Sequence, residues 1–214
     1  MATLETFDKI RKVDTSERRA VTYTEYFSVM EISEKQKKRR VELADDLEEA
    51  LLFFFAFYIV AQRYNAAVGR TEAENALRIR LEEAFAKNRV WSDTEDMFLM
   101  EITPEIVRVT NERYKEDPYW TSGDRAMSIS RDGSNTVWNT QEYKEAVGLG
   151  KRHKQWLTMK DEKVRPTHVI VDDTIMPIDE PFVVGDSLMM YPMDTSLGAS
   201  LSEISNCRCA VKYM

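Results

Sequence analysis

The chain has 214 residues, 43% of them hydrophobic, and a formal net charge of -7. That length suits one large domain or two small ones with a core that needs no disulfide staples, and the charge excludes a uniformly basic wrapper of nucleic acid. The opening MATLETFDKIRKVD has no apolar stretch behind its charges, so no signal peptide is expected, and the longest apolar run, Ala50 to Ala61, is too short to span a membrane and reads as a buried helix.

Ahead of Ser33, charges of both signs surround AVTYTEYFSVM, in which Val21, Tyr23 and Tyr26 suit a short strand or a helix packed on a partner; residues 1–33 are expected to form an arm. From Ser33 no Pro or Gly occurs until Gly69, which predicts one long helix closed by that glycine. Its beginning, KQKKRR, concentrates positive charge at Lys35, Lys37, Lys38, Arg39 and Arg40. Such a run suits phosphate or an acidic protein surface, although ELADDLEE behind it supplies i, i+4 partners and a solvated helix face is the preferred reading.

TEAENALRIRLEEAFAKNR predicts a second helix with Thr71 and Glu74 as a capping box and Leu77, Leu81, Ala84 and Phe85 on an apolar face. TPEIVRVTNERYKED predicts a third, with Pro104 in its first turn and Asp117-Pro118 ending it. Past residue 118, TSGDRAMSISRDGSN reads as a loop or hairpin, and NTVWNTQEYKEAV as a short helix ending at Gly148. THVIV, PFVVG, LMMYP and CRCAVKY then look like strands between Pro and Gly breaks. The fold class is α+β, a helical region over 34–128 followed by a small C-terminal β-rich lobe over 129–214.

Cys207 and Cys209 are the two cysteines of the chain. A disulfide between residues i and i+2 closes a strained ring, and a reducing compartment disfavours it further. In extended backbone the two sulfurs point to one face, where they either bind a metal or pack as small hydrophobes in a half-buried strand; residue type favours packing. With His168 they make three ligands of zinc type, and Asp161, Asp172 or Asp173 is a candidate fourth. The competing structure is a polar network in which Asp161 pairs with Arg165 one helical turn on, while Arg165 or Arg208 and Asn206 tie the last strand to that turn. His153, in basic KRHKQW, is expected to face solvent.

The last 80 or so residues resemble the C-terminal domain of the phage Mu F-like head morphogenesis family, minor capsid proteins of tailed phages and prophages. Carrying the resemblance are Trp156, Asp161, Val164-Arg165, His168, Asp179 with Pro181-Phe182, Tyr191-Pro192 with Asp194, and Asn206-Cys207-Arg208-Cys209, in that order. The Asn-containing helix ahead of Trp156 adds to it. Where the family often has a Gly after the His segment, this chain has Asp172 and Asp173, which tolerate the same turn.

The resemblance implies a non-enzymatic minor capsid protein, portal-associated during head assembly and located in the virion or, during assembly, in host cytoplasm. Its implied partners are the portal protein, other capsid components and nonspecific DNA, with no membrane. It places Asn206-Cys207-Arg208-Cys209 beside the segment of Asp161, Arg165 and His168 in one structural cluster, while zinc at His168, Cys207 and Cys209 rests on residue type and not on the resemblance. The alternative is a toxin-like metal- or thiol-dependent hydrolase or transferase with His168 as base, Cys207 as nucleophile, and Asp161 and Arg165 beside them. No Gly-rich phosphate loop, H-E-x-x-H or G-x-S-x-G accompanies that set.

Overall fold

The computed structural model describes residues 22–214, so Val21, MATLETFDKIRKVD and most of the expected arm lie outside the described residues. Two units divide the described chain: one holds Tyr23 and residues 42–133, the other residues 24–41 and 134–214. Helix α1 spans Tyr23–Ser28 and α2 spans Glu34–Arg63. No helix among the described residues is long and apolar enough to cross a membrane.

In the first unit, α2 continues through the apolar run, burying Leu51, Phe54, Phe55 and Tyr58. It stops before Gly69. Asn65 takes a left-handed φ of 50°, and the N–H groups of Asn65 and Ala66 close back onto the carbonyls of Gln62 and Ala61. Helix α3, Arg70–Asn88, buries Ala73, Leu77, Leu81, Ala84 and Phe85, the predicted face with one more turn. Its first turn has Gly69 as cap and no side-chain cap bond, so Thr71 and Glu74 do not form the predicted capping box. Helix α4 (Ser92–Met97) passes through a π-helical turn (Phe98–Ile102) into α5 (Thr103–Arg113), with Pro104 in its first turn and Ile106, Val107 and Thr110 buried.

Helix α6, Gly123–Gly148, replaces the loop or hairpin read from TSGDRAMSISRDGSN. Ser122 starts it by accepting the Arg125 N–H at 3.2 Å. The small residues then serve packing: Gly133 is buried, and a Cβ there would lie 2.9 Å from the Phe98 ring. Arg125, also buried, donates to Thr110 Oγ1 at 2.7 Å and to the Trp120 carbonyl.

The second unit begins with a capping box the sequence reading missed. Ser33 N–H donates to Gln36 Oε1 at 3.1 Å and Gln36 N–H returns to Ser33 Oγ at 3.3 Å, which starts α2. Strands β1 (His153–Leu157), β2 (Ile175–Pro177) and β5 (Ala210–Tyr213) form an antiparallel sheet ordered β2-β1-β5, in which Trp156 lies opposite Val211. Strands β3 (Phe182–Val184) and β4 (Ser187–Met189) make a hairpin with Phe182 opposite Met189. THVIV is not a strand: Pro166 opens helix α7 (Pro166–Val171), with His168 and Val171 buried one turn apart. A short α8, Leu201–Ile204, precedes β5. The core of this unit is Trp156, Val171, Phe182, Val184, Met189, Cys207 and Cys209.

Candidate functional site

Both cysteine side chains lie in that core, 2% and 3% exposed, while Arg208 between them turns outward. The alternation follows from extended backbone, which sends residues 207 and 209 to one side. Asn206 sets the segment up: its left-handed φ of 52° turns the chain out of α8, and the Cys207 N–H closes onto the Ile204 carbonyl at 3.2 Å. Opposite stands His168, aimed inward by α7. Its Nδ1 is 3.3 Å from Cys209 Sγ and 3.6 Å from Cys207 Sγ, and its Nε2 is 3.1 Å from Glu203 Oε2. Thr167 Oγ1 donates to the same carboxylate oxygen at 2.8 Å. The Trp156 ring meets the imidazole edge-on, with centroids 5.8 Å apart.

These contacts decide where the protons sit. The Cys209 thiol, then the His168 ring, stabilise Cys207 as a thiolate and lower its pKa despite burial. Cys209, facing that thiolate in an apolar core, is pushed up. Burial opposes a charge on His168, but the bond to Cys207, its charge and that of Glu203 outweigh it and raise the ring's pKa.

The exposed members of the cluster do something else. Asp161 pairs with Arg208 rather than Arg165, through two bonds of 2.6 and 2.5 Å, and it also accepts the Lys163 N–H at 3.0 Å. That fork lowers the Asp161 pKa. Arg165 donates instead to the Ser205 carbonyl. The two other candidate fourth ligands are engaged elsewhere: Asp172 accepts the Thr158 N–H at 2.8 Å, and Asp173, in a left-handed turn, pairs with Lys160 at 3.0 Å. His153 is exposed.

A second layer, not assigned from the sequence, holds the cysteine backbone. Asn135 Nδ2 donates to the carbonyls of Cys207 and Cys209 at 3.4 and 3.0 Å, and Asn139 Nδ2 donates to Cys209 O at 3.1 Å. Their amide oxygens accept from Arg40 Nε and Nη2 at 3.0 and 2.9 Å. Arg40 also forks onto Glu142 at 2.9 Å for each oxygen and donates to Gln36 O at 3.2 Å. All five guanidinium N–H groups are therefore used, on a side chain with no exposure. The signal available was Asn135, Asn139 and Glu142 at helical spacing, a polar stripe on one face of α6.

Arg40 thus leaves the proposed phosphate-binding patch. Arg39 pairs with Glu145 at 3.0 Å and lies over Trp138, and Lys37 pairs with Glu34 at 2.9 Å. Lys35 and Lys38 are exposed.

The family model described as "Phage Mu protein F like protein" matches residues 101–212, a span that holds every member of this site except Arg40 and Gln36. Comparisons with curated proteins and with solved structures found no match.

Proposed function

The chain belongs to the phage Mu protein F like family, which makes it a phage head morphogenesis protein, and we propose that it is a non-enzymatic minor capsid protein bound at or near the portal during assembly. The observation that carries the reading is the family match over 101–212 together with the use of the matched polar residues. Asn135, Asn139, Glu142, His168 and the two cysteines all fasten the C-terminal segment inside its own unit. Its partners are then the portal and neighbouring capsid components, with DNA contacted weakly and without sequence preference.

The alternative, a thiol-dependent hydrolase or transferase, has one observation for it: Cys207, His168 and Glu203 stand in nucleophile, base and orienting order. Burial of both thiols speaks against it, because a nucleophile must meet its substrate.

The test is co-expression with a portal subunit, followed by capture on the tagged portal. The helical first unit exposes Tyr64, Ile79 and Met100, apolar side chains suited to docking. Changing all three to Asp should abolish capture while leaving the fold intact. Full capture of that variant would remove the helical unit from the interface, and no capture of the parent would contradict portal binding. Deleting residues 1–68 is a poorer test, since it also removes Arg40.

A further inference from the structure

We propose that His168, Cys207 and Cys209 form a binding site for a thiophilic divalent cation, zinc by preference, with Glu203 as the residue that orients the histidine. The three ligand atoms lie within 4.8 Å of one another, and all three side chains are buried.

Spacing is the first argument. A tetrahedral zinc with bonds of about 2.3 Å to sulfur and about 2.0–2.1 Å to nitrogen sets those atoms about 3.5 Å apart. The observed separations from His168 Nδ1, 3.6 Å to Cys207 and 3.3 Å to Cys209, lie on either side of that value. Direction is the second. A single Nδ1 proton makes one good hydrogen bond, yet both sulfurs converge on this one nitrogen, as ligands of a common ion do.

The surroundings supply independent support. Glu203 Oε2 sits 3.1 Å from Nε2 and holds a proton on that nitrogen, which leaves Nδ1 as the nitrogen to be given to an ion, the carboxylate–histidine arrangement that accompanies metal-bound imidazole. The Trp156 indole N–H is fully buried in the core that holds both cysteines and has no hydrogen-bond partner among the described residues. The bonds from Asn135 and Asn139 to the carbonyls of residues 207 and 209 hold the two sulfurs in place before an ion arrives.

On binding, any proton still held by the two sulfurs or by Nδ1 passes to solvent, and the ion takes both sulfurs and Nδ1. No carboxylate of the described residues joins the group, so a water or hydroxide fills the fourth position. Whatever fills that position, the ion would clamp α7 to the segment entering β5.

The experiment uses the full chain, expressed with zinc in the medium and purified under a metal-free reductant. Elemental analysis should find one zinc per chain. Cobalt(II) added to the stripped protein should give thiolate-to-cobalt charge-transfer and tetrahedral ligand-field bands. Cys209→Ser should lose both signals, and Glu203→Gln should keep the bands with affinity lowered about 10- to 100-fold. Zinc below one-tenth equivalent with no cobalt bands from the parent overturns the proposal, whether or not the serine variant folds. Cobalt bands that survive Cys209→Ser overturn the ligand assignment.

Discussion

Replacing Arg40 with methionine tests how the C-terminal segment is held. The change keeps roughly the same volume but strands Glu142, 5% exposed, which keeps the Gln36 Nε2 donor at 2.9 Å, and it leaves the amide oxygens of Asn135 and Asn139 without the Arg40 donors. Removing one partner of a buried ion pair costs about 3–5 kcal/mol. Each orphaned amide oxygen adds up to about 1–3 kcal/mol before relaxation, so about 3 kcal/mol is a floor. For a chain of this size 1 kcal/mol moves the melting temperature by about 2–4 °C, giving a fall of about 6–20 °C. Arg40→Lys should fall between parent and methionine variant, because an ammonium has three donors where five are used. Arg40→Met with Glu142→Met should recover part of the loss, since no buried charge is left unpaired. Urea unfolding followed by near-UV circular dichroism reads the environments of Trp138 and Trp156, both in the second unit. A methionine variant within 1 kcal/mol of the parent, or a double variant less stable than the single, would refute the reasoning.

Lys154 is buried, donates to the Met190 carbonyl at 2.8 Å, and has its pKa lowered by burial from 10.5 to about 8. Between those values the unfolded chain binds the extra proton, so stability should rise with pH, by up to about 1.4 kcal/mol per unit, relative to Lys154→Met; a pH-independent difference contradicts this. Asp161→Asn should cost no more than about 1 kcal/mol, less at high salt, because the fork to Arg208 is partly exposed; a loss as large as that of Arg40→Met would show that the surface pair, not the buried one, holds the segment. Cys207 and Cys209 should resist alkylation near neutral pH until denaturant is added, and serine at both should lower the melting temperature. Fast reaction of the folded protein would instead revive the nucleophile reading. Affinity for duplex DNA should be weak, with a log–log salt slope of about 0.9 per phosphate contact, and sequence preference or salt insensitivity would count against that.

Much of the helical unit was legible because spacing alone carries it: Leu77, Leu81 and Phe85 fall on one face of α3, and Pro104 marks the first turn of α5. PFVVG and LMMYP also supply strand residues, as expected, and the two strands pair as a hairpin that was not foreseen. The misreadings share a cause, residues chosen for tertiary reasons that imitate a local signal. Gly133 looks like a turn residue but is small because Phe98 lies against it. THVIV is β-branched, yet Pro166 starts a helix that turns His168 toward the thiols.

At the site, residue chemistry and order pointed to His168, Cys207 and Cys209. Arg40 was hidden among surface-like cations because its carboxylate partner is 102 positions away, and Glu203 sat in a polar stretch with no periodicity to mark it. Such pairing leaves no mark among the sequence neighbours of Arg40; its one local sign is the stripe of Asn135, Asn139 and Glu142 on α6.

Quantitative mass spectrometry of heads purified from the phage or induced prophage that carries the gene tests the central claim most directly. The account predicts a few copies per particle, retained in heads and reduced when the portal is absent. A chain abundant in the infected host but missing from heads at every stage of assembly would contradict it.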